Sequence, residues 1–251
     1  MKIKKFFCIL FATAMLLAGC SSPAPQAVTE PETVTEPDPA DPQEQIKLLA
    51  NSVDIWRVPN DLEYEPYYYT VTDLDHNGRL EIIGASTQGT GIYTYGVVYE
   101  VGADFSSVQE CMTPCKENSD LPELIMNSAP AAYDEAAHAY DYLFTNDTRN
   151  GAAEHYQSIV AVRLTDGVLT CTVLANSYDH YIDSGVEQHE YAIPAGDSFL
   201  PSSEDEYNSI IENYQADRQG FTAYFEWFNF EQPVTEEILQ SSWNVFQGSG
   251  K

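Results

Sequence analysis

Residues 155–164 and 168–178 each alternate apolar with polar side chains, and only Thr165-Asp166-Gly167 separates them. A period of two turns one face of a strand inward and the other outward, and Asp-Gly accepts the positive φ that a tight turn needs. The pair is therefore expected to form a long antiparallel hairpin, and no other stretch constrains the fold as strongly. Runs rich in aromatic and β-branched residues at 67–72, 92–101 and 140–145 also read as strands. So do the short apolar run 80–84 and the segments 188–193 and 221–230.

Helical signals bracket these strands. Asp41-Pro42-Gln43-Glu44 supplies a capping residue, a proline in the first turn and an acid at the third position. Ile46, Leu49, Ala50, Val53 and Trp56 follow at helical spacing, which predicts a helix over 42–57. Ser203-Glu204-Asp205-Glu206 is a capping box ahead of the stripe Tyr207, Ile210, Ile211 and Tyr214, and residues 235–246 read as a last helix presenting Leu239, Trp243 and Phe246. Residues 114–130 look irregular apart from a short helix around 121–126. No βαβ alternation occurs, so the order of elements argues an α+β fold: a mainly antiparallel sheet, one N-terminal helix and two C-terminal helices. The folded domain is expected over 42–251, as one body or as two subdomains divided near 114–136.

Lys2, Lys4 and Lys5 precede an apolar run over residues 6–18, the layout of a secretory leader. The run is shorter than the roughly 18 apolar residues of a membrane span. It ends in Leu17-Ala18-Gly19-Cys20, which resembles the lipobox of bacterial lipoproteins. The resemblance implies removal of residues 1–19, lipidation of Cys20 with palmitate-like acyl chains, and anchorage on the extracytoplasmic side of the cell membrane. Each buried methylene of such a lipid is worth about 0.8 kcal/mol. Residues 20–41 are dense in proline and acid and read as an extended, disordered tether.

The chain has 39 acidic and 11 basic residues, a formal net charge of −28. That field repels nucleic-acid phosphates and attracts cations, which excludes nucleic acid as a partner. With Cys8 in the leader and Cys20 lipidated, Cys111, Cys115 and Cys171 remain. An odd count leaves a thiol over, whether Cys111 and Cys115 close a small loop or Cys171 pairs with either.

Residues 72–82 read TDLDHNGRLEI. Asp73, Asp75 and Asn77 stand at positions 1, 3 and 5, Gly78 at 6, the carbonyl of Arg79 at 7 and Glu81 at 9, with His76 expected to point outward. Calcium takes six to eight hard oxygens, and alternating ligands ahead of a glycine let a short loop turn its side chains around one ion. An EF-hand would require an acid at position 12, where Gly84 stands. The shorter spacing, leading straight into a strand, resembles the calcium loops of FG-GAP and VCBS type β-propeller repeats. It implies Ca2+ held by side-chain oxygens of Asp73, Asp75, Asn77 and Glu81 and by the backbone oxygen of Arg79, although Glu81 stands where those repeats usually carry Asp. The resemblance covers residues 67–83 alone. A propeller needs at least four blades, and the one further copy of the skeleton, at 146–154, keeps Asn146, Thr148, Asn150, Gly151 and Glu154 with a single carboxylate among them. A full propeller is not expected.

No Gly-x-Ser-x-Gly elbow, phosphate-cradling glycine loop or His-Glu-x-x-His occurs. His180, Asp183, Glu187 and His189 are dense enough for a transition metal, and equally suit a polar hairpin loop. Among 17 tyrosines, Tyr67, Tyr69, Tyr93 and Tyr95 are candidates for stacking on a glycan or a protein partner, or for half-buried strand positions. The expected function is a calcium-stabilised extracellular binding module on a surface lipoprotein. A hydrolase using carboxylates and a structural envelope protein are the alternatives.

Overall fold

In the computed structural model the described residues are 37–59, 66–88, 93–113, 121–182, 185–196 and 198–249. The leader, Cys20 and most of the tether lie outside them. Two short helices, α1 (Pro42–Asn51) and α2 (Val53–Trp56), lead into β1 (Tyr68–Thr72), β2 (Glu81–Gln88), β3 (Tyr93–Val101) and β4 (Val108–Glu110). These four strands pair antiparallel in chain order. Next come β5 (Ser128–Asp134), β6 (Ala139–Asn150), β7 (Glu154–Thr165), β8 (Val168–Ile182), β9 (Gly185–Ala195) and β10 (Ser198–Ser202), then α3 (Glu204–Ala216), β11 (Gln219–Tyr224) and α4 (Glu236–Gln247). The second sheet runs β10-β9-β8-β7-β6-β5-β11, so β11 returns to the edge beside β5. The fold is α+β with mainly antiparallel strands, and among the described residues neither sheet closes into a barrel or a propeller.

The expected hairpin is the middle of the larger sheet. Asp166 and Gly167 both adopt positive φ, 51° and 72°, which matches the twist of the flanking strands. Along β7, Val160, Val162 and Leu164 share one face with Tyr142 and Phe144 of β6, and that face packs against Val71, Ile82 and Val98 of the smaller sheet in a common core. The chain passes from one sheet to the other between Glu110 and Ser128. On the opposite face Leu143, Ile159, Ala161 and Ala175 are buried, on the side against which α3 packs. There Asp141 accepts both Arg163 Nε (2.8 Å) and Nη2 (2.7 Å) and the hydroxyl of Tyr214 from α3 (2.7 Å), which pins the helix across the strands.

The helix caps behave as their residues dictate: Asp41, Ser203 and Thr235 accept backbone N–H groups of Gln43, Glu206 and Ile238. Three expectations need correction. The helix over 42–57 breaks at Ser52, where Leu49 O accepts both Ser52 N and, at 2.8 Å, the buried indole Nε1 of Trp56. Residues 121–126 are not helical. Leu121 N bonds Thr94 O and Glu123 N bonds Thr145 O, so this segment laces the two sheets together while Leu121 and Leu124 fill the core. Residues 225–230 leave the ladder after β11 because their aromatic rings are needed in the core, and Tyr69 and Phe228 exchange two backbone hydrogen bonds of 2.7 and 2.9 Å. Cys111 is a free, buried thiol, pushed up to about 12 by burial, and Cys115 lies outside the described residues.

Candidate functional site

The turn joining β1 to β2 holds the acidic loop of residues 73–81. Gly78 has φ +83° with open space around it, so the glycine is required by its backbone conformation and not by crowding. His76 also takes a left-handed φ of 54°. These two reversals fold the loop so that one oxygen each of Asp73, Asp75 and Glu81 lies within 4.8 Å of the others. This is the one such acidic cluster among the described residues, and it could hold a metal ion.

Its carboxylates are only partly satisfied. Glu81 is 0 % exposed; Thr72 Oγ1 (2.9 Å) and Leu74 N (2.8 Å) donate to its Oε2, while Oε1 has no partner. Asp73, 8 % exposed, accepts Gly78 N at 3.2 Å through Oδ2 and leaves Oδ1 unpartnered. A buried acceptor without a donor costs about 1–3 kcal/mol, more for a charge. Burial, with Asp73 next to it, raises Glu81 well above the usual carboxylate range. Burial and then Asp75 push Asp73 up to about 6, and burial raises Asp75 as well.

Glu81 stands directly opposite Glu100 of β3, a like-charge cross-strand pair that is unfavourable unless something neutralises it. Arg79 Nη2 sits 2.7 Å from Glu100 Oε1, and Asn77 Nδ2 donates to the same oxygen at 2.8 Å. Glu100 is therefore engaged, whereas Asp73 and Glu81 each keep an oxygen without a partner. Asn77 does not join them through its carbonyl: Oδ1 accepts Arg79 N at 2.7 Å, and Nδ2 also donates to Asp75 Oδ2 at 3.0 Å. The guanidinium of Arg79 serves Glu100, so only the backbone oxygen of this residue is left to face an ion.

Parts of the chain remote in sequence clamp the loop. Gln45 of α1, almost wholly buried, donates through Nε2 to Gly78 O (2.8 Å) and accepts Leu80 N through Oε1 (2.9 Å). Tyr142 of β6 donates its hydroxyl to Leu74 O at 3.0 Å. His76 keeps an exposed edge, yet its ring lies 3.9 Å from that of Tyr140 and its Nε2 is 3.4 Å from Tyr142 Oη. It is exposed, as expected, with one side of the ring resting against the larger sheet. Gln45, Glu100 and Tyr142 escape pattern reading, although two of them leave signals: Gln45 falls on the apolar stripe of its helix, and Glu100 interrupts an apolar strand.

The other candidate residues do not assemble. Residues 146–150 and 154 lie within β6 and β7, where extended backbone spreads Asn146, Thr148 and Asn150 along the strand instead of around an ion; Gly151, at φ +67°, makes the hairpin turn. His180 pairs with Gln188 and Asp179 with His189, so the two histidines point to opposite faces of the sheet. Asp183 and the side chain of Glu187 lie outside the described residues. Tyr69 is fully buried among Trp56, Phe228 and Phe230, and Tyr67 packs on the same core. Tyr95 is 40 % exposed, and the side chain of Tyr93 lies outside the described residues. Tyr67 and Tyr69 thus take the partly buried and buried positions that were the alternative to stacking on a ligand.

An aromatic depression of about 780 Å³ lies elsewhere, across β7 to β10, where Tyr156, Tyr178 and Phe199 stand over Ser158 and Asn176. No protein-family model, curated protein or solved structure matches this chain.

Proposed function

We propose that the chain is a bacterial surface lipoprotein, held to the outer side of the cell membrane through Cys20 and an extended tether, whose folded part is a calcium-stapled binding domain. The observation that carries this reading is the pair of buried carboxylates, Asp73 and Glu81, each with an oxygen that no protein group satisfies. Three carboxylates so close together repel one another, and a divalent cation removes both the repulsion and the desolvation penalty. The donors are all hard oxygens; His76 is turned away onto Tyr140 and the cluster holds no thiolate, which favours calcium over zinc or copper. Asp73, Asp75, Glu81 and the Arg79 carbonyl would be the ligands. Asn77 joins them if its amide turns over and releases Arg79 N. Extracellular calcium near 1 mM, on the order of the weak affinities of such modules, would keep the site filled.

The test is calorimetric titration of the intact chain in detergent, stripped by chelator, with CaCl2 and MgCl2. Calcium is expected to give heat with one-to-one stoichiometry, magnesium much less, and Asp75→Ala none. The absence of calcium heat in the parent chain would remove the cation from this reading. Incorporation of an alkynyl fatty acid, lost in Cys20→Ala, tests the anchor separately.

A further inference from the structure

The larger sheet changes character along its length. On one face of β7 the buried Leu164, Val162 and Val160 are followed, at the same period of two, by Ser158 and the exposed Tyr156. The register carries this outer face across the neighbours: Tyr156 stands opposite Tyr178, and Ser158 opposite Asn176. Asn176 is in turn opposite Ala192, while Pro194 of β9 stands opposite Phe199 of β10. Side-chain rows on one face of a strand are roughly 7 Å apart. The small Ser158, Asn176 and Ala192 thus form a floor between a tyrosine wall and Phe199, and the depression between them measures about 780 Å³.

We infer that this groove binds a neutral polysaccharide, an inference that rests on the reading of the chain as a surface binding domain. The Tyr156 and Tyr178 rings lie 4.8 Å apart and 31° from parallel, a platform set by direct cross-strand pairing. Tyr156 and Phe199 leave 42 % and 48 % of their surface in water. A sugar ring offers an apolar C–H face that can cover such area and a rim of hydroxyls that both donate and accept. The floor meets the rim in kind. Ser158 Oγ donates to Asn176 Oδ1 at 2.7 Å, which leaves the amide N–H groups of Asn176 and the serine lone pairs for a ligand.

Charge selects against the other ligand classes. No Lys or Arg is among the described residues lining the groove, so an anionic polymer finds no counter-charge there. The carboxylates at its edge are already engaged: Glu190 by Gln188, and Glu154 by Asn150 and the Tyr178 hydroxyl. A cationic polypeptide would compete with those neutral donors for the same two carboxylates. Glu190 is also the single carboxylate among the described residues that line the groove itself.

Native affinity electrophoresis of the intact chain in detergent tests this, with gels containing β-glucan, xylan, mannan or starch, polygalacturonate as the anionic polymer and an oligolysine peptide as the cationic one. Retardation by at least one neutral polymer and none by polygalacturonate is expected. Tyr156→Ala with Tyr178→Ala should weaken that retardation about tenfold or more, Phe199→Ala should weaken it less, and Tyr224→Ala, exposed on β11, should leave it unchanged. Thermal melts in calcium confirm that each variant is folded. No retardation by any neutral polymer overturns the inference, as does retardation that survives the double tyrosine variant; a response to oligolysine alone that the double tyrosine variant loses overturns it too and reassigns the groove to a cationic polypeptide. Because calcium heat is read independently, failure of the glycan site with calcium binding intact is distinguishable from failure of the calcium-stapled domain.

Discussion

Chelation should loosen this protein by an amount that can be worked from its loop. With calcium at about 1 mM and a dissociation constant on the order of 10⁻⁴ M, mass action contributes about 1.4 kcal/mol to the folded state. A domain of this size moves about 2–4 °C in Tm per kcal/mol, so EDTA should lower the midpoint by about 3–6 °C. Acidification makes the same measurement sharper. Without the ion, Asp73 has its carboxyl raised from 3.8 to about 6 by burial and the adjacent Asp75. Between those pH values the folded chain keeps a proton that the unfolded chain has released, so the ion-free fold loses stability as pH rises through the window and stays at its lower level at neutrality. Such a displacement corresponds to about 3 kcal/mol for Asp73, and Glu81, raised for the same reason, acts in the same direction. With calcium bound the sign reverses, because protons compete with the ion for the same oxygens. Differential scanning calorimetry from pH 7.5 to 5, with EDTA and with calcium, should therefore show two midpoint curves that converge toward low pH. Relief of the net charge of −28 affects both curves alike and cancels in their difference. Curves that stay parallel across this range, or that coincide at neutrality, would refute the cation reading.

Other parts of the scaffold give independent checks. Gln45→Leu keeps the volume but strips partners from Gly78 O and Leu80 N; it should cost about 2–3 kcal/mol in urea unfolding and weaken calcium affinity, with no change in the lipid anchor. Ser242→Ala removes a buried hydroxyl that accepts Val71 N at 2.9 Å and donates to Glu226 O at 2.7 Å, and should lower stability by about 1–3 kcal/mol while calcium heat is retained. Asp141→Ala leaves Arg163 and the Tyr214 hydroxyl without their shared partner. Since Arg163 is partly exposed, the loss should be near 2–3 kcal/mol, below that of a fully buried pair. Cys111, buried and pushed up to about 12, should resist iodoacetamide in the native protein and react on unfolding, as read by mass spectrometry.

The hairpin, the capped helices and the acidic loop were legible because each is specified by neighbours in sequence: Asp166-Gly167 for a turn, Ser203 with Glu206 for a cap, Gly78 for a left-handed bend. What was not legible is what distant partners decide. β5 reads SAPAAYD, a poor strand by propensity, and forms because β6 and β11 flank it on both sides. Leu121 to Met126 has a helix-like composition, yet hydrogen bonds to Thr94 and Thr145 in two different sheets hold it extended. The tyrosines fared likewise. Clustering in sequence drew attention to Tyr67 and Tyr69, which the core consumed, whereas Tyr156 and Tyr178, 22 positions apart, meet only through the register of β7 with β8.

That register also separates the two sites by mechanism. The acidic loop touches α1 through Gln45 and the larger sheet through Tyr142 and Tyr140, so it joins the N-terminal helix and both sheets at one corner of the core. The groove depends instead on the outer halves of β7 to β10, whose pairing is set by backbone ladders and by α3 on the far face. Loss of calcium should accordingly act on how often the whole domain unfolds and leave the affinity of the folded groove nearly unchanged. Retardation by a neutral polysaccharide, measured at about 15 °C, near the usual stability maximum where the chelated protein remains folded, should agree within about twofold with and without EDTA. A tenfold loss under chelation, with the melt still complete and cooperative, would mean that the loop orders the outer strands directly and that the two sites form one unit.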